Sequence, residues 1–472
     1  MSSKHDNPRA TERLVWLGVS VFLVGIIFAL LLSPTVFAET NGPDREELIS
    51  SFENVFVYIE DNFVEEVDRQ ELMQGALDGM FDSLDDRYSA YLDPDEMDDL
   101  GDVTSGSFGG VGMYISRSDD DDDGYVEVVE PIPDSPAFEA GLRVGDEIHS
   151  IEGESAQGLS TEEVANRLRG PEGTDVTLTV RRAGSRLVEY TLTRAQVEVP
   201  TVRHALMPDS IGYVRVSSFT PYTVPRMDDA IDELEEDGYE SLVVDLRGNT
   251  GGLLNSAIQA ADLFIDDGLI VGTTSRTEDG GSEYEARSST AVPTDMPVVV
   301  LVDGGSASGA EILAGALKDS GRAVLVGSTT FGKGSVQQVQ QAGAIEGGFR
   351  LTLSRYYTPS GDYIDGEGIE PDYEEEMPQL GEEEQERYGD LLESMEVESF
   401  VDEHDDTPSD SAIETFVSDT ADSYDLPERS VSRLVREEVS RRANEAIVYD
   451  LDYDTVLQKA VELIEDGQAT GR

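Results

Sequence analysis

The 472-residue sequence contains no cysteine. Disulfide staples, thiol catalysis and cysteine metal sites are therefore excluded. Histidine is almost as scarce. His5, His149, His204 and His404 are scattered along the chain, without the short spacings that place metal ligands together. None lies near a motif that would complete a Ser/His/Asp triad. Positive charge is sparse: 33 Lys and Arg stand against 99 Asp and Glu, a formal net charge of −66. Lysine is rarer still. Lys4, Lys318, Lys333 and Lys459 are the full set, and every other such cation is arginine. The acidity runs along the whole chain, which disfavours nucleic-acid binding. It reads as a halophilic surface, kept soluble in concentrated salt where a Debye length of ~3 Å or less removes self-repulsion. An acidic face for a cationic partner is the other reading.

Long apolar runs are absent but for one. Leu14–Leu32 (LVWLGVSVFLVGIIFALLL) carries no charge and would make a helix of ~28 Å, close to the hydrocarbon thickness of a bilayer. Lys4, Arg9 and Arg13 precede it, and Glu39, Asp44, Glu46 and Glu47 follow. That asymmetry keeps residues 1–13 cytoplasmic and sends everything after the run across the membrane, into the envelope or periplasm. Residues 14–38 are thus expected to be a membrane anchor. The rival is a cleavable signal peptide ending near Val36-Phe37-Ala38, for which the run is long.

Hydrophobic residues make up 38% of the chain, enough for the cores of two or three domains. In residues 44–101, Leu48, Phe52, Val55, Phe56, Ile59 and Phe63 recur at helical spacing. Residues 104–195 are rich in glycine and strand-like runs. Residues 199–373 alternate strands and helices, which predicts an α/β core. Its strand candidates are Ile211–Phe219, Ser241–Leu246, Leu269–Ser275, Val298–Val302, Ala323–Val326 and Arg350–Tyr356. Residues 374–426 are very acidic and poor in pattern, and read as a mobile linker. Residues 427–472 hold two further amphipathic helices.

Within the glycine-rich region, Pro131-Ile132-Pro133-Asp134-Ser135-Pro136-Ala137, Ala140-Gly141-Leu142, Gly145-Asp146-Glu147-Ile148 and Ile151-Glu152-Gly153 follow one another. This order resembles a PDZ domain. Ahead of it, Phe108-Gly109-Gly110-Val111-Gly112-Met113 resembles the PDZ carboxylate loop. Glycines there free backbone N–H groups to face an anion, so Gly110, Val111, Gly112 and Met113 are the candidate carboxylate-binding residues. A peptide would add a strand at the sheet edge, with Thr161–Arg169 as the groove helix. Asp119, Asp121, Asp123, Gly124 and Glu130 also match an EF-hand loop. Their flanks read as strands, so a hairpin tip is expected and no metal.

The apolar strand Val298–Val302 runs into Asp303-Gly304-Gly305-Ser306-Ala307-Ser308-Gly309-Ala310-Glu311 and then an apolar small-residue helix. A serine at such a junction sits beside free amides and the positive end of the helix dipole, where an oxyanion can be held. Taken alone, Ser308 could equally be a helix N-cap with Glu311 as capping-box partner. The stretch is not a G-x-S-x-G elbow, because Ser306 stands two before Ser308. The second piece is Thr330-Phe331-Gly332-Lys333-Gly334-Ser335-Val336-Gln337. A buried lysine can lose its proton where arginine effectively cannot. A chain this sparing of lysine that keeps one between two glycines points to a general base. In an extended segment Lys333, Ser335 and Gln337 would share a face, letting Gln337 hold the amine in line with Ser308. Gly327, Gly332 and Lys333 nearly spell a phosphate loop, but Gly334 stands where Ser or Thr must bind Mg²⁺.

SASGAEI (Ser306–Ile312), TFGKGSVQ (Thr330–Gln337) and DLRGNTGG (Asp245–Gly252), behind a PDZ-like region, resemble the carboxyl-terminal processing peptidases, or tail-specific proteases. The likeness spans roughly residues 45–373. It implies a mixed-sheet α/β (α+β) peptidase core of ClpP/crotonase-like fold with an upstream PDZ domain. It also implies Ser308 as nucleophile, Lys333 as general base and Gln337 as the residue that orients it. The Gly309 amide and either Gly251 or Gly252 would form the oxyanion hole. Gly309 departs from the alanine usual in that family. No cofactor is implied. The expected partners are proteins or peptides with exposed C-terminal tails, and family members often self-associate through helices outside the core. The alternative is a PDZ scaffold whose peptidase core is inactive.

Overall fold

The computed structural model describes residues 44–117, 124–182, 186–276, 281–343, 345–404, 406–443 and 447–469. The apolar run Leu14–Leu32 and Asp119, Asp121 and Asp123 of the stretch spelled like an EF-hand lie outside them. No helix among the described residues is long and apolar enough to cross a membrane.

Two helices open the described chain, α1 (Arg45–Asn62) and α2 (Arg69–Asp82). The Asp44 side chain caps α1 by accepting from the Glu47 N–H at 2.8 Å. Leu48, Phe52 and Val55 on α1 are exposed. From Phe81 onward the chain forms a second unit. It begins with a short strand, β1 (Ala90–Leu92), and α3 (Pro94–Ser105). The helical reading of 44–101 misses β1, because three residues are too few to show a period. Tyr91 and Leu92 are buried in it.

The glycine-rich region is a small β domain. Its strands are β2 (Ser107–Gly110), β3 (Met113–Ser116), β4 (Glu127–Pro131), β5 (Glu147–Ile151), β6 (Glu154–Ser155), β7 (Asp175–Arg182), β8 (Arg186–Thr193) and β9 (Ala195–Glu198). Helices α4 (Pro136–Glu139) and α5 (Thr161–Leu168) lie between them. β3-β4-β5-β7-β8 form one sheet, and β2 pairs with β9 alone. Alternation along β7 buries Val176, Leu178 and Val180 under α5, whose Val164 and Leu168 complete that core.

The α/β region contains two sheets. The first runs β10 (Val202–Met207), β11 (Ile211–Val216), β12 (Ser241–Asp245), β15 (Val298–Val302), β16 (Val324–Gly327), β19 (Tyr373–Glu374). All but β10 are parallel to their neighbours. The second contains β13 (Leu269–Ser275), β14 (Ser282–Glu285), β17 (Ser335–Gln341) and β18 (Gly348–Tyr357), with β1 at its edge. β12 and β15 are buried at every residue, as parallel strands covered on both faces must be. One face carries α6 (Thr223–Asp237), α7 (Leu254–Asp262) and α8 (Gly309–Asp319), with Met227, Ile231, Ala257, Leu313 and Leu317 in the core.

The C-terminal part corrects the sequence reading. Residues 374–426 are not a mobile linker: they form α9 (Glu382–Ser394), α10 (Glu396–Glu403) and α11 (Asp410–Tyr424). With α12 (Glu428–Ala443) these helices bury Leu391, Val397, Phe400, Val401, Val417, Val431 and Val435. The two expected amphipathic helices, α12 and α13 (Thr455–Glu465), are present, but α13 covers the other face of the main sheet. There Val456, Leu457, Ala460 and Leu463 pack on Val243, Val299, Leu301 and Val326. The boundary at 373 thus cuts through the core rather than around it.

Candidate active site

In a parallel sheet the loops leaving the C-terminal strand ends share one edge. Three such loops meet here: Leu246–Leu253 after β12, Asp303–Ser308 after β15 and Ser328–Gly334 after β16. The first two are sewn together. Asp303 Oδ1 accepts from the Gly248 N–H and the Gly305 N–H, both at 2.9 Å. Ser306 Oγ donates to the Leu246 carbonyl at 2.9 Å. The Ala307 N–H donates to the Asn249 carbonyl at 2.8 Å. Buried Asn249 then holds the Gly251 N–H on its side-chain oxygen at 2.8 Å.

Ser308 sits on the strand-to-helix junction with φ 54° and ψ −112°. Few residues other than glycine adopt such a backbone, which costs of order 1–3 kcal/mol and persists only where its surroundings hold it. Glu311 supplies that hold. Its carboxyl group is fully buried and accepts from the Ser308 N–H at 2.8 Å. It also takes the Thr330 hydroxyl at 2.6 Å, the Gly332 N–H at 2.7 Å and the Lys333 N–H at 2.9 Å. Sequence reasoning sees Glu311 only as a capping partner. The structure makes it the joint between the serine turn and the lysine loop, with partners some twenty residues away that a local motif cannot reveal.

The glycines are matched to this crowding. A Cβ on Gly251 (φ +102°) would lie 2.7 Å from the Ser308 Cβ, so the first loop passes directly over the serine. The Gly252 backbone bridges in parallel to Phe219, whose N–H donates to the Gly251 carbonyl and whose carbonyl accepts from the Leu253 N–H. Among the described residues the Gly252 and Gly309 N–H groups have no recorded acceptor, whereas that of Gly251 is already engaged. A methyl on Gly309 would come within 3.0 Å of the Phe219 ring, which gives a steric reason for glycine here.

Lys333 is half-buried. Burial, then Arg350 and Arg87, push its amine below the usual lysine range, and Glu311 opposes them. Its Nζ lies 5.0 Å from the centre of the Tyr88 ring. Tyr356 on β18 is buried between the two motifs. Its hydroxyl donates to the Lys333 carbonyl. Burial and nearby Glu311 push that phenol well above its ordinary value. Gln337 departs from expectation. It lies on β17, but its amide donates to Ser335 Oγ at 2.8 Å and Thr352 Oγ1 at 3.4 Å rather than meeting the lysine amine. The extended segment does put Ser335 and Gln337 side by side; they satisfy each other instead.

A second recess of about 420 Å³ lies between β3 and α5. Gly110, Val111, Gly112 and Met113, the predicted carboxylate-loop residues, line it together with Phe108 and Leu168. Thr201, Ser218 and Thr220 of the α/β region line it too. Arg169 at its rim pairs with Asp99 at 3.4 Å.

Residues 210–375 match the peptidase family S41, residues 127–182 a PDZ domain and residues 35–96 the N-terminal domain of the activating protease CtpB. A carboxy-terminal-processing protease of Bartonella bacilliformis is 36% identical over 372 residues, 78% of this chain and 83% of that one. The chain belongs to this family. It is a serine-type S41 peptidase carrying a PDZ domain, and its mixed α/β core is the fold class that the motifs implied. The carboxy-terminal processing protease CtpB of Bacillus subtilis is 36% identical over 334 residues, 70% of this chain and 68% of that protein. A photosystem II D1 C-terminal processing protease of known structure shares 33% identity, with 69% of this chain and 87% of that chain covered and a TM-score of 0.42. Behind the loops of this S41 peptidase, Arg247 joins Asp245 at 2.6 Å to Asp454, the N-cap of α13, also at 2.6 Å. Burial alone would raise the Asp245 carboxyl, but the Arg247 bonds hold it below its usual range.

Proposed function

We propose that this S41 peptidase cleaves proteins through a Ser308/Lys333 dyad after engaging their C-terminal tails in the PDZ recess. Neutral Lys333 takes the Ser308 proton as the hydroxyl attacks the scissile carbonyl. The Gly309 N–H and the Gly252 N–H hold the oxyanion, and Gly252 is preferred over Gly251 because its N–H is uncommitted. The lysine ammonium then protonates the leaving amine, and water releases the acyl group. Nζ must first swing from the Tyr88 ring toward Ser308, and the orienting role of Gln337 requires the same rearrangement. The observation that carries the reading is the meeting of a strained serine at a helix N-terminus with the loop of a lysine whose proton is loosened by burial and two arginines.

The recess suits a tail that adds a strand beside β3 with its carboxylate at the glycine loop. Residues 14–32 tether the enzyme so that its substrates are envelope or secreted proteins. Ser308→Ala and Lys333→Ala are each expected to lower cleavage of a peptide with an apolar C-terminus by at least about a thousandfold. Circular dichroism should stay unchanged, and full turnover by either variant would refute the dyad. Comparing envelope proteins by mass spectrometry with wild type and Ser308→Ala identifies the substrates. The acidic surface predicts activity that rises with added salt, and a maximum at low ionic strength would remove the halophilic reading.

A further inference from the structure

Tyr88 belongs to none of the three motif loops. It lies between α2 and β1, inside the stretch that matches the CtpB N-terminal domain, yet its ring is the recorded neighbour of the Lys333 amine. The backbone that carries the ring is firmly held. The Tyr88 carbonyl accepts from Arg350 Nε at 2.9 Å, and its N–H donates to Asp86 Oδ1 at 3.1 Å. The next residue, Ser89, donates to Asp86 Oδ2 at 2.6 Å and accepts from the Thr352 N–H at 3.0 Å. β1 then pairs with β18. The Tyr88 hydroxyl is buried without a hydrogen-bond partner among the described residues. The hydroxyl therefore gains nothing that phenylalanine would lack, and the part of the side chain that meets the amine is the ring face.

The charges around the amine explain what the ring does. Arg87 from the same segment and Arg350 from β18 are both cations, and the Arg87 guanidinium lies 4.7 Å from the same ring centre. Among the described residues, Glu311 of α8 is the carboxylate that favours the ammonium, and its oxygens already accept four hydrogen bonds. The Tyr356 hydroxyl is committed to the Lys333 carbonyl. Among the described residues no hydrogen-bond or ion-pair partner is recorded for Nζ. The negative face of an aromatic ring is the remaining favourable neighbour for a cation.

We propose that Tyr88 is a positioning residue for the general base: its ring face holds Lys333 as the ammonium between turnovers, away from Ser308. The ammonium gives its proton to solvent water, which weakens the contact with the ring, and the neutral amine then leaves the ring to take the Ser308 proton. The N-terminal segment thereby contributes to a site otherwise built from the peptidase core. This role rests on Lys333 being the base.

The test is the pH dependence of kcat/KM for the full-length enzyme and its variants, because the base sets the acid limb. The ring stabilises the cation, so removing it lets the proton leave more readily. Tyr88→Leu should move the acid limb down by about half to one pH unit. Tyr88→Phe keeps the ring face and should leave the limb in place. Tyr88→Trp offers a stronger face beside a cavity of about 880 Å³ and should move the limb up, which serves if the leucine variant does not fold. A limb that stays put in the leucine or tryptophan variant, or that moves equally in the phenylalanine variant, overturns the role of Tyr88. Turnover by Lys333→Ala would instead remove the base itself. An inactive Lys333→Ala with an unmoved Tyr88→Leu limb separates the two failures.

Discussion

The serine half and the lysine half of the site are held in opposite ways. Around Ser308 the backbone is over-determined: Glu311, Asp303 and Asn249 each bind several donors, and the strained turn cannot relax. At Lys333 the backbone is tied just as firmly, by Glu311 and Tyr356, but the side chain rests on an aromatic face. The contrast suits the proposed dyad. An attacking oxygen and its oxyanion donors must be fixed before reaction, whereas a proton carrier has to move between two partners.

The fixed half is best broken at Glu311. Glu311→Gln keeps the shape but turns one acceptor into a donor against N–H groups. Leaving those buried groups unpaired is expected to cost about 2–4 kcal/mol. Turnover should fall with KM little changed, and thermal unfolding together with steady-state kinetics would measure both. Unaltered stability would mean that the joint is redundant. Gly251→Ala acts on the same half without removing a polar group. A side chain there clashes with Ser308 at a backbone angle that L-residues rarely adopt, so kcat should drop about a hundredfold in a folded protein. Wild-type kcat would show that the first loop can withdraw.

The effect on stability is smallest at the mobile half and has the opposite sign. Because the amine titrates below its ordinary value of 10.5, the folded protein pays to keep it charged at neutral pH. That penalty is complete below the folded pKa and fades as pH rises toward 10.5. Lys333→Met should therefore abolish activity while raising Tm at pH 7 by about 1–3 °C, a gain that disappears above pH 10.5. A lower Tm at pH 7 would mean that the ring contact outweighs desolvation.

Much of the candidate site is legible because its loops are written in residues with few other uses. A lysine between glycines, in a chain with three other lysines, is conspicuous. So are paired glycines after an apolar strand. The Ser308 strain left no trace, since strain is usually signalled by glycine and here falls on serine. Tyr88 was hidden by distance along the chain, and so were the four partners of Glu311. The segment 374–426 reads as a linker because its short apolar groups, Val397, Phe400 and Val401 in one helix and Ile413, Phe416 and Val417 in the next, stand among many carboxylates. The likeness of α13 to a free amphipathic helix concealed the sheet it covers.

The ion pair from Arg247 to Asp454 reaches across 207 residues. Synthesis delivers the arginine long before the aspartate, so this one brace behind the loop forms only after the rest of the core has been made. The helix that begins at Thr455 thus carries, besides its own apolar face, the last charge to reach the ion pair behind the serine loop.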